Sequence, residues 1–192
     1  SPRNGDFFAT SRFDNSVVGF RLITDPESGS LDAVFQTAEI AIDRASPFAG
    51  FDSRGIAFSR DGNRAYVANR GPSSLLVLDV GPTDVENGTG SLNRMVDQIP
   101  MPSQPSDVAV AVTGGRELVY VASYAEDRLL VVDPQVRAVV DRIDLPGSPY
   151  ELLVDDVHKH RIYVTLFEKG EVVIVDIDPG SASFHAATGV IR

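Results

Sequence analysis

Apolar residues fall in short runs that alternate with polar breaks, and the runs come in pairs. Tyr66-Val-Ala-Asn69 is followed by a polar break, Arg70 to Ser74, and then by Leu75-Leu-Val-Leu-Asp79. The pattern returns at Tyr120-Val-Ala-Ser123 with Leu129-Leu-Val-Val-Asp133, and at Tyr163-Val-Thr-Leu166 with Val172-Val-Ile-Val-Asp176. In each copy the Asp lies 13 positions after the Tyr. A weaker copy opens the chain, with Phe7-Phe-Ala-Thr10 and Ser16-Val-Val-Gly-Phe20 in the two roles. Runs of this length, rich in Val, Ile, Tyr and Leu and bounded by Gly, Pro, Asn and Asp, predict strands. No ten-residue stretch places apolar residues at i, i+3, i+4 and i+7, so neither a helical domain nor a βαβ unit is expected.

Around each pair the pattern predicts two further strands. Gly55 to Phe58 precedes the second copy through a turn at Ser59-Arg-Asp-Gly-Asn63, where Asp-Gly favours a tight hairpin. Ser91 to Ile99 follows it after an acidic loop, Gly81 to Gly90. The third unit reads as strands at 107–112, 118–123, 129–133 and 138–145. The fourth reads as 151–155, 161–166, 172–177 and a last strand near 183–191. The opening unit supplies three strands, near 7–10, 17–23 and 31–42, because only six polar residues precede Phe7.

The repeating tyrosines are 54 (66 to 120) and 43 (120 to 163) positions apart. A whole four-strand block recurring near that period marks a β-propeller rather than a sandwich or an ordinary barrel. The fold class expected is therefore all-β: four-stranded antiparallel blades, with boundaries near 7–45, 51–100, 105–146 and 149–192 in one domain or fragment spanning 1–192. Gly55-Ile-Ala-Phe-Ser-Arg-Asp-Gly-Asn-Arg-Ala-Tyr-Val-Ala-Asn69 resembles the YVTN repeat of surface-layer-type β-propeller proteins. The segment from Val131 to Pro149 resembles that family's turn into the outermost strand and its Gly-x-Pro step into the next blade. Tyr163-Val-Thr-Leu166 departs from the pattern in having Leu where the repeat has Asn. The resemblance implies architecture for most of the chain and leaves activity open.

Strand count bears on closure. With three strands in the first unit, the chain ends cannot share a blade in the usual way. Either about four blades of a larger ring are present, commonly seven in proteins of this type, or a compact four-bladed ring has an imperfect first blade. An open wedge exposes apolar faces and unpaired edges, which favours the larger ring and makes self-association possible where edges stay open.

Composition narrows the chemistry. The chain has 192 residues and a net charge of −10, with no Lys/Arg-rich run, which disfavours nucleic acid as a partner. No apolar run approaches the roughly 18 residues of a membrane-spanning helix. There is no cysteine, so no disulfide, thiolate metal site or cysteine nucleophile is available among these residues. The chain begins with Ser and shows no leader sequence, as expected of a processed or excised piece.

In such a fold, loops leading into the innermost strands and loops joining second to third strands gather on one face. The first set contributes Arg54, Asp107 and Glu151. The second contributes Arg70, Tyr124 and Phe167. These six are the candidate binding residues; solvated loop charge is the plain alternative. Asp84 to Gly90 lacks the spacing of a calcium loop, and Asp155, Asp156, His158 and His160 fall in a hairpin expected to face solvent. With three histidines, no Cys and no Gly-x-Ser-x-Gly, a nucleophilic triad has poor material. Asp79, Asp133 and Asp176 recur in every copy, which points to a structural task. No catalytic residue, metal or cofactor is expected. The leading expectation is a non-catalytic scaffold of an exported, periplasmic or cell-surface protein that binds a protein or glycan. The resemblance also admits part of a lactonase-like hydrolase, or of an oxidoreductase holding a metal or other cofactor.

Overall fold

A computed structural model describes residues 6–12, 15–42, 51–81, 83–84, 89–90, 93–155 and 157–192. It is all-β. Blade 1 is the sheet β1 (Asp6–Ser11), β2 (Ser16–Thr24) and β3 (Leu31–Ala41). Blade 2 comprises β4 (Phe51–Phe58), β5 (Arg64–Gly71), β6 (Ser73–Asp79) and β9 (Arg94–Pro100), with a two-strand hairpin, β7 (Thr83–Asp84) and β8 (Thr89–Gly90), inserted before the last. Blade 3 is β10 (Pro105–Thr113), β11 (Arg116–Ser123), β12 (Arg128–Asp133) and β13 (Ala138–Asp144). Blade 4 is β14 (Pro149–Asp155), β15 (Arg161–Leu166), β16 (Glu171–Asp176) and β17 (Ala186–Ile191). Every neighbouring pair is antiparallel. The end of the 7–45 unit, and residues 82 and 85–88 of the acidic loop at 81–90, lie outside the described residues.

Several boundaries differ from expectation. The inner strands of blades 3 and 4 begin at Pro105 and Pro149 rather than Asp107 and Glu151, and the last strand of blade 2 begins at Arg94 rather than Ser91. Two further differences have a visible cause. The innermost strand of blade 2 begins at Phe51 rather than Gly55, because Phe51 and Ser53 already pair with Gly71 and Asn69. The last strand begins at Ala186 rather than Ser183. There Asp176 draws the chain into a turn instead, accepting hydrogen bonds from the Ser183 hydroxyl (2.6 Å) and the Asp178 amide (2.9 Å).

The core lies between blades rather than within them. Strand alternation sends successive side chains to opposite faces, so the central strands serve two interfaces at once. Val67 and Ala65 meet Val17 and Ile40 of blade 1, while Tyr66 and Ala68 meet Val119 and Val121 of blade 3. Tyr120 and Val131 in turn meet Ile162, Val164 and Val173 of blade 4. Burial on both faces is why these strands read as continuous apolar runs.

The repeat has a polar element as well. Tyr66 donates its hydroxyl to Glu117 Oε1 of blade 3 (3.1 Å), and Tyr120 meets His185 Nε2 of blade 4 at 3.0 Å. The recurrent aspartates shape turns, as expected: Asp133 accepts from the Gln135 amide (2.8 Å) and pairs with Arg116, and Asp79 pairs with Arg64 (2.9 Å). The ring is open. Tyr163, third in the series, is only half-buried, and Leu153 beside it on the same face is 67% exposed.

Candidate functional site

Three inner-strand irregularities shape one end of the blades. The register shifts between Ser53 and Ile56, between Pro105 and Asp107, and between Pro149 and Leu152. Ser53, Pro105 and Pro149 pair with Asn69, Ser123 and Leu166, the residues that close the repeated four-residue motif of each second strand. The next residue of each blade, Arg70, Tyr124 or Phe167, therefore emerges at the same height.

Each emerging loop is held by the entry to an inner strand, that of the next blade for Arg70 and that of its own blade for Tyr124 and Phe167. The Arg70 Nε donates to Pro105 O (3.2 Å), and the Tyr124 amide donates to Gln104 O (3.1 Å). The Phe167 amide donates to Ser148 O (3.0 Å), and the turn closes at Gly170, whose φ of 63° suits glycine. Asn69, the end of its motif, holds the blade 2 loop by donating from Nδ2 to Pro72 O (2.8 Å).

The three side chains form a ladder across blades. The Arg70 guanidinium sits 5.9 Å from the Tyr124 ring centroid, within cation–π range. Tyr124 stands edge-on to Phe167 at 6.4 Å and to Tyr150 at 6.4 Å, and Tyr150 and Phe167 are 5.2 Å apart. These separations are those of mutually stabilising aromatic pairs. Phe167 is nevertheless 65% exposed, so the cluster presents ring surface to solvent.

Beside the ladder, Arg54, Asp107 and Glu151 line one cleft of about 350 Å³ together with Gly55, Ser106 and Tyr150. Arg54 pairs with Asp52 through Nε (2.9 Å) and Nη2 (3.2 Å), and Arg12 reaches the same carboxylate at 2.9 Å. Burial, and next the Arg54 charge, push Arg70 below its usual range. Asp107 has a different task. Its Oδ2 accepts from the Leu152 amide of blade 4 (2.8 Å), and its Oδ1 occupies the space where a Cβ on Gly55 would lie. Burial raises its pKa, partly offset by the Leu152 and Val108 amides. Asp107 thus joins three inner strands, a structural role that its position in the cleft does not reveal. Glu151 donates its amide to Thr165 Oγ1 (2.9 Å).

At the opposite end, an open groove of about 920 Å³ runs between blades 2 and 3 past Tyr66, Glu117, Arg64 and Asp79. Those four groups already satisfy one another. Between blades 3 and 4, His185 brings its Nδ1 to 2.6 Å from Asp141 Oδ2 and its Nε2 to the Tyr120 hydroxyl, which also meets Thr113. Phe184 stacks on the imidazole at 3.8 Å. The side chain is almost wholly enclosed, so the network fastens the β16–β17 connection to blade 3. Burial pushes the Tyr120 phenol up to about 12, which keeps it protonated as a donor.

All six residues expected at this end are therefore on one surface, in two neighbouring groups. Tyr150 and Asp52 join them. Asp155 and His158 pair with each other (3.4 Å), while Asp156 lies outside the described residues. Among the described residues no three His, Cys, Asp or Glu side chains are grouped to hold a metal. No helix is long and apolar enough to cross a membrane.

No protein-family model matches the chain, and no curated protein matches it. Solved structures do. A hydrazine synthase of Kuenenia stuttgartiensis aligns over 99% of this chain and 46% of its own, at 19% identity and a TM-score of 0.68. The dihydro-heme d1 dehydrogenase NirN aligns over 97% of this chain and 35% of its own, at 13% identity and a TM-score of 0.62. A functionally unknown protein from Desulfotomaculum acetoxidans aligns over 98% of this chain and 57% of its own, at 19% identity and a TM-score of 0.62. The chain thus has a β-propeller fold and spans about half, or less, of the first two structures. Sheets that stop short of a ring agree with a partial propeller.

Proposed function

We propose that this chain is part of a larger propeller that works as a binding scaffold without catalysis, recognising a protein or glycan through the loops around Arg54, Arg70, Tyr124, Tyr150, Glu151 and Phe167. The observation that carries this reading is the ladder. Residues at equivalent positions of successive blades differ in chemistry yet touch one another and keep ring surface in water. Core positions repeat because packing constrains them; these do not, and exposed aromatic and arginine side chains are those enriched at recognition surfaces. The resemblance to the YVTN repeat supports an exported or cell-surface parent protein, which cell fractionation with an antibody to this domain tests. The exposed faces of blades 1 and 4 are where further blades, or a second copy, would pack.

The test is a glycan array and a pull-down with the full-length polypeptide, followed by Phe167→Ala and Tyr150→Ala. Loss of the captured partner in both variants, with the fold retained by circular dichroism, is expected. Capture unaffected by either variant refutes the reading. A second reading, the propeller portion of a hydrolase or of a cofactor-bearing oxidoreductase, is favoured by one observation: two of the aligned structures are named as a synthase and a dehydrogenase. Likeness of fold alone carries little weight for activity. Stoichiometric metal or cofactor in the purified full-length protein, removable together with a turnover, would establish that reading over the scaffold.

A further inference from the structure

Charge is distributed unevenly across this surface. The chain is strongly acidic, yet Arg12, Arg54 and Arg70 gather at the blade 1–2 side of the ladder, with Asp52 as the carboxylate that Arg12 and Arg54 share. Among the described residues Arg70 has no carboxylate partner. Its Nε is taken by Pro105 O, its plane lies by Tyr124, Asp52 acts on it only at a distance, and among the described residues the terminal nitrogens of its fork have no acceptor. A guanidinium held this way, partly out of water and beside another guanidinium, is unfavourable for folding alone and suited to receiving a planar anion through two parallel bonds.

The far side of the ladder is the reverse. Glu168 accepts from the Tyr124 hydroxyl (3.4 Å), and Glu151 and Asp107 line the adjoining cleft. A run of many negative charges would meet these carboxylates. A ligand with a single anionic group, an apolar face and several hydroxyl donors would not: its anion would sit at Arg70 and Arg54, its face on Tyr124 and Phe167, and its hydroxyls would donate to Glu151 and Glu168. A sugar acid has that combination.

Resting on the binding reading above, we infer that the ligand of this surface is a carboxylated glycan, with a uronate carboxylate received by Arg70 and Arg54 and the sugar ring stacked on Tyr124 and Phe167. The experiment titrates the full-length polypeptide by calorimetry with an aldotriouronic acid (a neutral disaccharide ended by one uronate), its neutral methyl ester, dextran sulfate and a poly-glutamate peptide. The singly charged uronate sugar is expected to bind, to weaken as salt is raised, and to bind about tenfold or more tightly than the ester, as loss of a charge-assisted bond implies. Arg70→Gln should lose a similar factor. Arg70→Lys, which keeps the charge without the fork, should lose less, and it keeps the test open if the glutamine variant fails to fold.

Equal binding of ester and acid, still abolished by Phe167→Ala, overturns the carboxylate assignment and leaves the scaffold reading intact. Tighter binding of dextran sulfate overturns the carboxylate in favour of a sulfate. Arg70-dependent binding of poly-glutamate at equal strength overturns the glycan in favour of an acidic protein. Absence of any Phe167-dependent binding, together with failure of the array and pull-down, removes both readings.

Discussion

The junction between blades 3 and 4 and the outward face of blade 4 are built from the same repeat, and they differ only in what lies against them. At the junction Tyr120 is fully buried, packed on Ile162 and Val164, with its hydroxyl shared between His185 and Thr113. On the outward face Tyr163, Leu153 and Ile174 occupy the matching positions, half-buried or exposed. The inner strands show the same contrast. Asp107 reaches the Leu152 amide of the next blade, whereas Glu151, its counterpart in blade 4, has no following inner strand among the described residues. Burial of a repeat residue is therefore a property of the neighbouring blade, and a propeller blade is a half-finished interface until the next one docks.

The sharpest way to break this comparison is to truncate both tyrosines. Tyr120→Ala should cost about 3–5 kcal/mol in urea unfolding, the range for deleting a buried aromatic side chain. Tyr163→Ala in these 192 residues should cost less than about 1.5 kcal/mol. In a longer polypeptide that supplies a fifth blade, the second value should rise toward the first. Equal values in the 192-residue chain would mean that blade 4 is not an open face.

Next in size is the inner-strand contact. A Cβ on Gly55 would meet Asp107 Oδ1 at 1.7 Å, so the strands must part or the carboxylate must turn away from Leu152. Gly55→Ala should destabilise by about 1–3 kcal/mol. In the Asp107→Ala background the same change should cost less but not nothing, because the new Cβ still meets the Cα of residue 107 at 2.9 Å, and the difference is the coupling energy read in a double-mutant cycle. Additive effects would show that Gly55 and Asp107 are not in contact.

The hydroxyls separate the two regions more finely. Tyr66→Phe leaves Glu117 Oε1 without its donor while the Arg60 amide still serves Oε2 at 2.8 Å, so the loss should be about 1 kcal/mol. Tyr163→Phe should be neutral. A measurable loss at Tyr163 in the 192-residue chain would point to a partner on that face.

Legibility followed the same division. Strands of blades 2 to 4 could be read because Tyr66 to Asp79 and its copies carry continuous apolar runs, buried on both faces in blades 2 and 3 and on one face in blade 4, and a recurring Asp after each run is a local turn device. Arg70, Tyr124 and Phe167 could be placed on one surface because each directly follows a repeated strand. Tyr150 could be set at the start of an inner strand but not in contact with Phe167, since that contact depends on the Gly170 turn folding back. His185 was unreadable as a fastening. Its partners, Tyr120 and Asp141, lie on two strands of another blade, and its positive φ of 57° is shared in sign with Asn93 (47°) and Arg137 (57°), which also precede outermost strands, so the backbone repeats while the imidazole does not. The structural role of Asp107 was hidden for a related reason: the neighbour that makes it structural is an absent side chain, Gly55, in a different blade.

The smallest expected effect concerns the charge on Asp107. Burial holds this carboxyl above its ordinary range, so the folded chain keeps its proton to higher pH than the unfolded chain does. Between those two values the folded state binds more protons, and stability contributed by this group rises as pH falls; above both values, where both states are ionised, its desolvation counts against the fold. Asp155 and Asp176 run the other way. The His158 amide lowers Asp155; at Asp176 burial opposes, but hydrogen bonds from Ser181, Ser183 and the Asp178 amide prevail. Their contribution is present at neutral pH and is lost as acid protonates them. Asp107→Asn keeps a carbonyl acceptor for the Leu152 amide and deletes only the charge. The variant should match or exceed the parent at pH 7, by less than about 1 kcal/mol. It should also lose the parent's gain on acidification just above the ordinary carboxylate range, read from urea midpoints across pH. A variant less stable at pH 7 with an unchanged pH profile would show that Asp107 carries no desolvated charge, and the inner strands of blades 2 to 4 would then have to be joined by packing alone.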